Sequence, residues 1–157
     1  MAVSRLAAAL LLAVGLAVQG GCSGDITKYK KSQTELARDW ERIEARQWRL
    51  VSLDGSSPIA GTEIVLFFGP GKTFSGNAGV NTYSGNLERT AYEQIVLSPT
   101  LMTSDSKTEP AGAMKQEAEY LKLLTEVDAY KFFTDGNRLD LERNGRTILE
   151  FSASPRP

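Results

Sequence analysis

A chain of 157 residues, 41% of them apolar and with a formal net charge of −1, has room for one ordinary globular domain with a short appendage. It contains no histidine, which excludes histidine-based triads and the usual zinc sites. Arg5 is the one charged residue before Cys22, so the chain from Cys22 onward carries 17 Lys and Arg against 19 Asp and Glu, without the basic excess that a nucleic acid partner requires.

The first 21 residues hold Arg5, an apolar run from Leu6 to Val18, and then Gly20-Gly21-Cys22. The run is too short to span a bilayer but suits the apolar centre of a secretory signal, so residues 1–21 are read as a signal peptide. A buried N-terminal helix is the alternative, and the absence of any polar face along the run argues against it. The residues before Cys22 resemble the lipobox of bacterial lipoproteins. That resemblance implies cleavage before Cys22, lipidation of its sulfur and acylation of its new amine. Gln19 departs from the pattern, which usually has an aliphatic residue there. Ser23, by the same resemblance, favours the outer membrane. Several acyl chains would anchor the chain firmly, since each buried methylene contributes roughly 0.8 kcal/mol. With Cys22 lipidated no thiol remains, so thiol proteases, disulfide exchange and cysteine-based zinc sites are excluded as well.

Residues 22–46 read as a lipidated tether with a helical part. Ser32-x-x-Glu35 is a capping box, and Leu36, Trp40 and Ile43 recur at helical spacing up to about Gln47. Such a helix would serve as a stalk, or fold back so that Leu36 and Trp40 cover an apolar edge. From Trp48 the period changes to two, predicting strands at about 48–53, 63–68, 72–77, 82–89 and 93–97. Between the second and third lies Gly69-Pro70-Gly71-Lys72-Thr73, whose last three residues end like a phosphate loop. The glycine needed five places earlier is Leu66, and Phe-Ser-Gly-Asn-Ala-Gly comes where a helix must begin, so the stretch reads as a turn and no nucleotide is expected. An irregular segment, Ser98 to Thr108, leads to a helix at about 109–127 with Pro110 in its first turn and Met114, Ala118, Leu121 and Leu124 as its apolar stripe. Strands near 129–134, 138–143 and 146–151 close the domain, with Asn144-Gly145 as a two-residue turn, and residues 152–157 read as a frayed tail.

One helix cannot cover eight strands that lie flat. The expected fold is therefore α+β: a strongly curved, barrel-like antiparallel sheet of about eight strands, covered by the 109–127 helix. At Phe74-Ser-Gly76-Asn-Ala-Gly79-Val-Asn81-Thr-Tyr83-Ser-Gly85 the chain resembles the signature of the META domain family, also called HslJ-like. Trp48-Arg-Leu50, Thr100-Leu-Met102, and Leu149-x-Phe151 follow the family order, so the resemblance covers about residues 47–151. It implies a small secreted or lipid-anchored envelope protein, in a family associated with heat stress and drug tolerance. Where many members carry a cysteine pair, this chain has Val80 and Ser104. Any activity that relies on cysteine redox chemistry is thus not carried over.

Within the signature, Gly76, Gly79 and Gly85 would line a ligand cleft or, as the plainer reading, mark bulges and tight bends in a curved sheet. Asn81 is expected to bond to backbone groups of its turn, and Tyr83 to pack its ring with the hydroxyl tied to a partner. If the signature touches a ligand or an envelope protein, Phe74, Gly76, Gly79, Asn81, Tyr83, Gly85, Thr100 and Met102 are the candidate contacts. The carboxylates Asp54, Glu63, Asp135 and Asp140 are the residues that a glycosidase would need, but their positions read as turns and exposed faces. Ser104 and Lys107 read as a loop before the helix rather than an S-x-x-K site. The expectation is a non-enzymatic binding or stress-protective module facing the periplasm, with no cofactor and no metal. The alternatives are a carboxylate-based hydrolase or binder of cell-wall glycans, and a purely structural envelope protein.

Overall fold

The computed structural model describes residues 31–90, 92–102 and 110–155. Its elements are α1 (Gln33–Glu44), β1 (Gln47–Leu53), β2 (Ile64–Gly69), β3 (Thr73–Ala78), β4 (Thr82–Arg89), β5 (Ile95–Met102), α2 (Ala113–Thr125), β6 (Ala129–Phe132), β7 (Arg138–Arg143) and β8 (Arg146–Ser154). The expected signal peptide, Cys22, Ser104 and Lys107 lie outside the described residues.

Helix α1 starts where the capping box places it. The Glu35 amide donates to the Ser32 hydroxyl and the Glu35 carboxylate accepts from the Ser32 amide. Its apolar face, Leu36, Trp40 and Ile43, is buried, and Trp40 packs edge-on against Phe68 of β2 and Tyr130 of β6. The Arg89 guanidinium stacks over the Trp40 ring, 4.1 Å from its centroid. Helix α1 is thus a wall of the domain, not a stalk. The Trp48 indole then donates to the Ile43 carbonyl at 3.0 Å, fixing the turn into β1.

The eight strands form one antiparallel sheet in the order β5-β4-β3-β2-β1-β8-β7-β6. The ladder is open, but its two end strands meet at one corner. There Gln94 bridges Ala129, the Tyr130 amide donates to the Glu93 carbonyl at 2.8 Å, and the Ile95 amide donates to the Asp128 carbonyl at 3.1 Å. Register shifts in β1 between Leu50 and Ser52, and where β7 and β8 pair at Leu141 and Glu142, bend the sheet. Helix α2 lies against β5 and β3, and the buried residues from α1, α2 and all eight strands form one core.

Three expectations change. Helix α2 begins at Ala113 after Gly112 rather than near Glu109, so Pro110 precedes it. Strand β5 does not stop at Leu97; it continues through Ser98-Pro99-Thr100-Leu101-Met102, paired with β4. Proline is tolerated because β5 is an end strand and has a ladder partner on one side only. Strand β8 extends through Ser152, Ala153 and Ser154, which pair with β1, so the tail is ordered that far. The phosphate-loop look-alike is a turn, as its composition implies: Gly71 and Lys72 both adopt positive φ (72° and 63°) between β2 and β3.

Candidate functional site

The signature folds as β3, a loop and β4. Phe74 and Tyr83 point into the core, where their rings lie 6.1 Å apart. Gly76 and Gly85 sit in unbroken register, opposite Tyr83 and Phe74 respectively. They are not bulges. A β-carbon on Gly76 would stand 1.9 Å from the Val65 carbonyl oxygen and 2.7 Å from the Tyr83 hydroxyl; one on Gly85 would stand 2.2 Å from the Ser98 carbonyl oxygen and 2.7 Å from the Phe74 ring. These two positions are side-chain-free because a carbonyl oxygen of the neighbouring strand and, next to it, an aromatic group occupy the space.

Behind the signature stands a polar column on α2. Gln116 accepts from the Ile59 amide at 2.6 Å and donates to the Thr62 hydroxyl at 2.9 Å. Glu117 accepts twice from Asn81: from its amide at 2.6 Å and from its side-chain Nδ2 at 2.8 Å. Tyr120 meets Tyr83 hydroxyl to hydroxyl at 2.7 Å, and Tyr83 donates to the Val65 carbonyl at 2.9 Å. With the Tyr83 proton committed to Val65, Tyr120 must be the donor of the pair. Glu117 is 2% exposed and Asn81 7%, so each polar group of this column is satisfied internally rather than offered to a ligand. Gly79, at φ 107°, completes the loop that brings Asn81 to the helix. Asn81 therefore bonds to a helix carboxylate, not only to its own turn, and Val80 lies partly buried in the same loop.

Burial pushes the Tyr83 hydroxyl well above the ordinary tyrosine range, with Tyr120 beside it adding to the shift, and burial pushes Tyr120 up as well. Both groups keep their protons in the folded chain at a pH where the unfolded chain ionises, near the ordinary value of 10.0. Their stabilisation is therefore complete below pH 10 and is lost as pH rises above it. Alkaline titration followed by tyrosine absorbance and circular dichroism should show ionisation of two tyrosines only together with unfolding. Smooth ionisation of every tyrosine in a folded chain would contradict the burial.

The opposite face of the same strands is open to solvent. A cleft of about 780 Å³ there is lined by Phe67, Thr73, Ser75, Ser84, Asn86 and Thr100, with Phe68, Gly69, Phe74 and Gly85 completing its wall. It carries hydroxyls, one amide and aromatic carbon, and none of these ten residues ionises. Of the candidate contacts, the cleft brings together Phe74, Gly85 and Thr100; Gly76, Gly79, Asn81 and Tyr83 serve the buried column instead. Met102 is exposed at the end of β5, where its sulfur accepts a long contact of 3.5 Å from the Ser84 hydroxyl.

The four carboxylates considered for acid–base work are dispersed. Asp54 pairs with Arg146 at 2.6 Å, Glu63 with Arg49 at 2.6 Å, and Asp135 accepts from the Asn137 amide at 2.9 Å. Asp140 is not on an exposed face. It is 2% exposed and held by Arg138 at 2.7 Å and the Thr147 hydroxyl at 3.1 Å. None of the four lines the cleft. Among the described residues, no group of three His, Cys, Asp or Glu side chains is placed to hold a metal ion.

The model of the META domain matches residues 41–155, most of the chain. This protein belongs to the META domain family. The match begins inside α1, in keeping with the burial of Ile43 in the common core. Solved structures similar to this META domain include a protein from Burkholderia xenovorans determined by NMR, at 23% identity and a TM-score of 0.57, covering 76% of this chain and 88% of that one. A second protein determined by NMR is 17% identical with a TM-score of 0.54, covering 71% and 92%. A DUF4847 family protein from Bacteroides vulgatus, seen in a crystal structure, is 16% identical with a TM-score of 0.51, covering 74% and 98%. At these identities the likeness is one of fold. No curated protein matches the chain.

Proposed function

We propose that this META domain protein is a non-enzymatic binding or stress-protective module, held in the bacterial envelope by acyl chains on Cys22 and facing the periplasm from the outer membrane. The observation that carries the binding reading is the outer-face cleft. It is of ligand size and lined by groups that form hydrogen bonds and aromatic contacts but none that exchange protons near neutral pH. The signature behind it supports this division of labour: Asn81, Tyr83 and Gly76 are committed to the buried column, which holds β3 and β4 rigid beneath the cleft. The lipobox-like residues around Cys22 supply the anchor in this reading.

The test is photo-crosslinking in living cells, with a photoreactive residue placed at Thr100 in the cleft or at Glu88, outside its lining on β4. The expected result is a specific adduct from position 100, absent from position 88, in a protein that takes up labelled palmitate and fractionates with the outer membrane. A Cys22→Ser chain should lose the label and the membrane association. Equal adducts from both positions, or none, would remove the support for the cleft; palmitate uptake by Cys22→Ser would remove the anchor.

A further inference from the structure

We infer that the outer-face cleft binds an uncharged, polyhydroxylated chain, of which a neutral oligosaccharide is the simplest form. This rests on the reading of the cleft as a binding site and specifies its ligand. The register supplies the geometry. Phe67 of β2 stands opposite Ser75 of β3, Ser75 opposite Ser84 of β4, and Ser84 opposite Thr100 of β5, so one aromatic ring and three hydroxyls form a straight row across four strands. Neighbouring strands are spaced by about 4.8 Å, close to the length of one hexose unit, so successive hydroxyls meet successive sugars. A second row, Thr73 opposite Asn86, runs beside the first and adds an amide.

The chemistry of these groups selects the ligand. Ser75, Asn86 and Thr100 make no side-chain hydrogen bond among the described residues, and Ser84 has only its long contact with the Met102 sulfur. Thr73 donates to the Pro70 carbonyl at 2.9 Å and keeps its lone pairs as acceptors. Hydroxyl and amide groups both donate and accept, which is what a sugar hydroxyl also does. A phosphate or carboxylate entering the cleft would lose water without gaining a counter-charge from its lining, so charged ligands are disfavoured there. Phe67, half-buried on β2, closes the row at its far end. The volume of about 780 Å³ falls in the ordinary range of ligand sites and accommodates a short oligosaccharide.

The experiment is an NMR titration of the full-length lipoprotein in micelles of a detergent without a sugar headgroup. The probes are chitotetraose, which is uncharged, and an oligogalacturonate of the same length, which is not. Saturable shifts confined to β3, β4 and β5 are expected with chitotetraose, and weaker or no shifts with the anionic oligomer. Thr100→Val, a near-isosteric change, and Ser84→Ala, which removes only the hydroxyl, should each weaken binding by about fivefold, the loss of one hydrogen bond. Any of three results would overturn the inference: no saturation by ~10 mM chitotetraose, unchanged binding in both variants, or equal binding of the anionic oligomer. Failure here together with specific crosslinks from position 100 would reject the ligand class alone; failure of both would reject the cleft as a site.

Discussion

Gly76→Ala is expected to cost on the order of 3 kcal/mol, the upper end of what a forced extra methyl does in a packed core. A methyl at this position meets the Val65 carbonyl oxygen at 1.9 Å, and a backbone atom in the middle of a paired strand cannot step aside. Thermal unfolding should report a melting temperature lowered by roughly 10 °C. The companion variant Tyr83→Phe separates the two obstacles. Removing the hydroxyl frees the contact at 2.7 Å but leaves the carbonyl at 1.9 Å and the ring carbon Cζ at 2.9 Å in place, so the double variant should remain at least nearly as unstable as Gly76→Ala. A Gly76→Ala protein that melts within a degree or two of the parent would show that β2 and β3 are not held as tightly as the register implies.

Asn81→Leu should be as damaging, by a different route. It removes the side-chain amide that answers one oxygen of Glu117, and among the described residues no Lys or Arg pairs with this carboxylate. Leaving a buried carboxyl oxygen without its hydrogen-bond partner typically costs about 1–3 kcal/mol or more, with the Asn81 backbone amide still answering the other oxygen. Replacing both residues, Asn81→Leu with Glu117→Met, puts apolar groups where the pair was and should recover part of the loss. A double-mutant cycle by chemical denaturation measures this directly, with a coupling of about 1–3 kcal/mol expected for groups in contact. Simple additivity of the two single losses would mean that the pair does not act as a unit.

The sequence made the local elements legible where chemistry is local. The capping box at Ser32 and Glu35, the Asn144-Gly145 turn and the period-two strands all lie where short-range rules put them. It misplaced the face of α2. An apolar stripe through Met114 and Ala118 follows the hydropathy, yet Met114 is 60% exposed while Gln116, Glu117 and Tyr120 are buried. Hydropathy cannot identify a buried carboxylate whose partner is an asparagine thirty-six residues away in sequence. The usable signal was the spacing: Glu117 and Tyr120 at i and i+3 on the helix match Asn81 and Tyr83 entering β4. The cleft was illegible for a related reason. Serines and threonines on the outer face of strands look like ordinary solvated surface, and only the pairing register shows that Ser75, Ser84 and Thr100 share one row. Likewise, glycines at 76 and 85 signal a need for space, but which atom takes that space depends on Tyr83 and Phe74 reaching back across the ladder.

Strand β1 lies between β2 and β8, so the first strand of the domain takes one of its two partners from the last. Gln47 pairs with Ser154, and the Leu53 end of the same strand pairs with Leu149. Every shorter length of the emerging chain therefore leaves one edge of β1 unsatisfied and the core without Phe151, whose side chain is fully buried. The native sheet becomes available only once β8 has been made, so synthesis of that strand sets the moment at which the domain can fold. A product cut short before β8 lacks both this partner strand and the Phe151 side chain, and so cannot close the core.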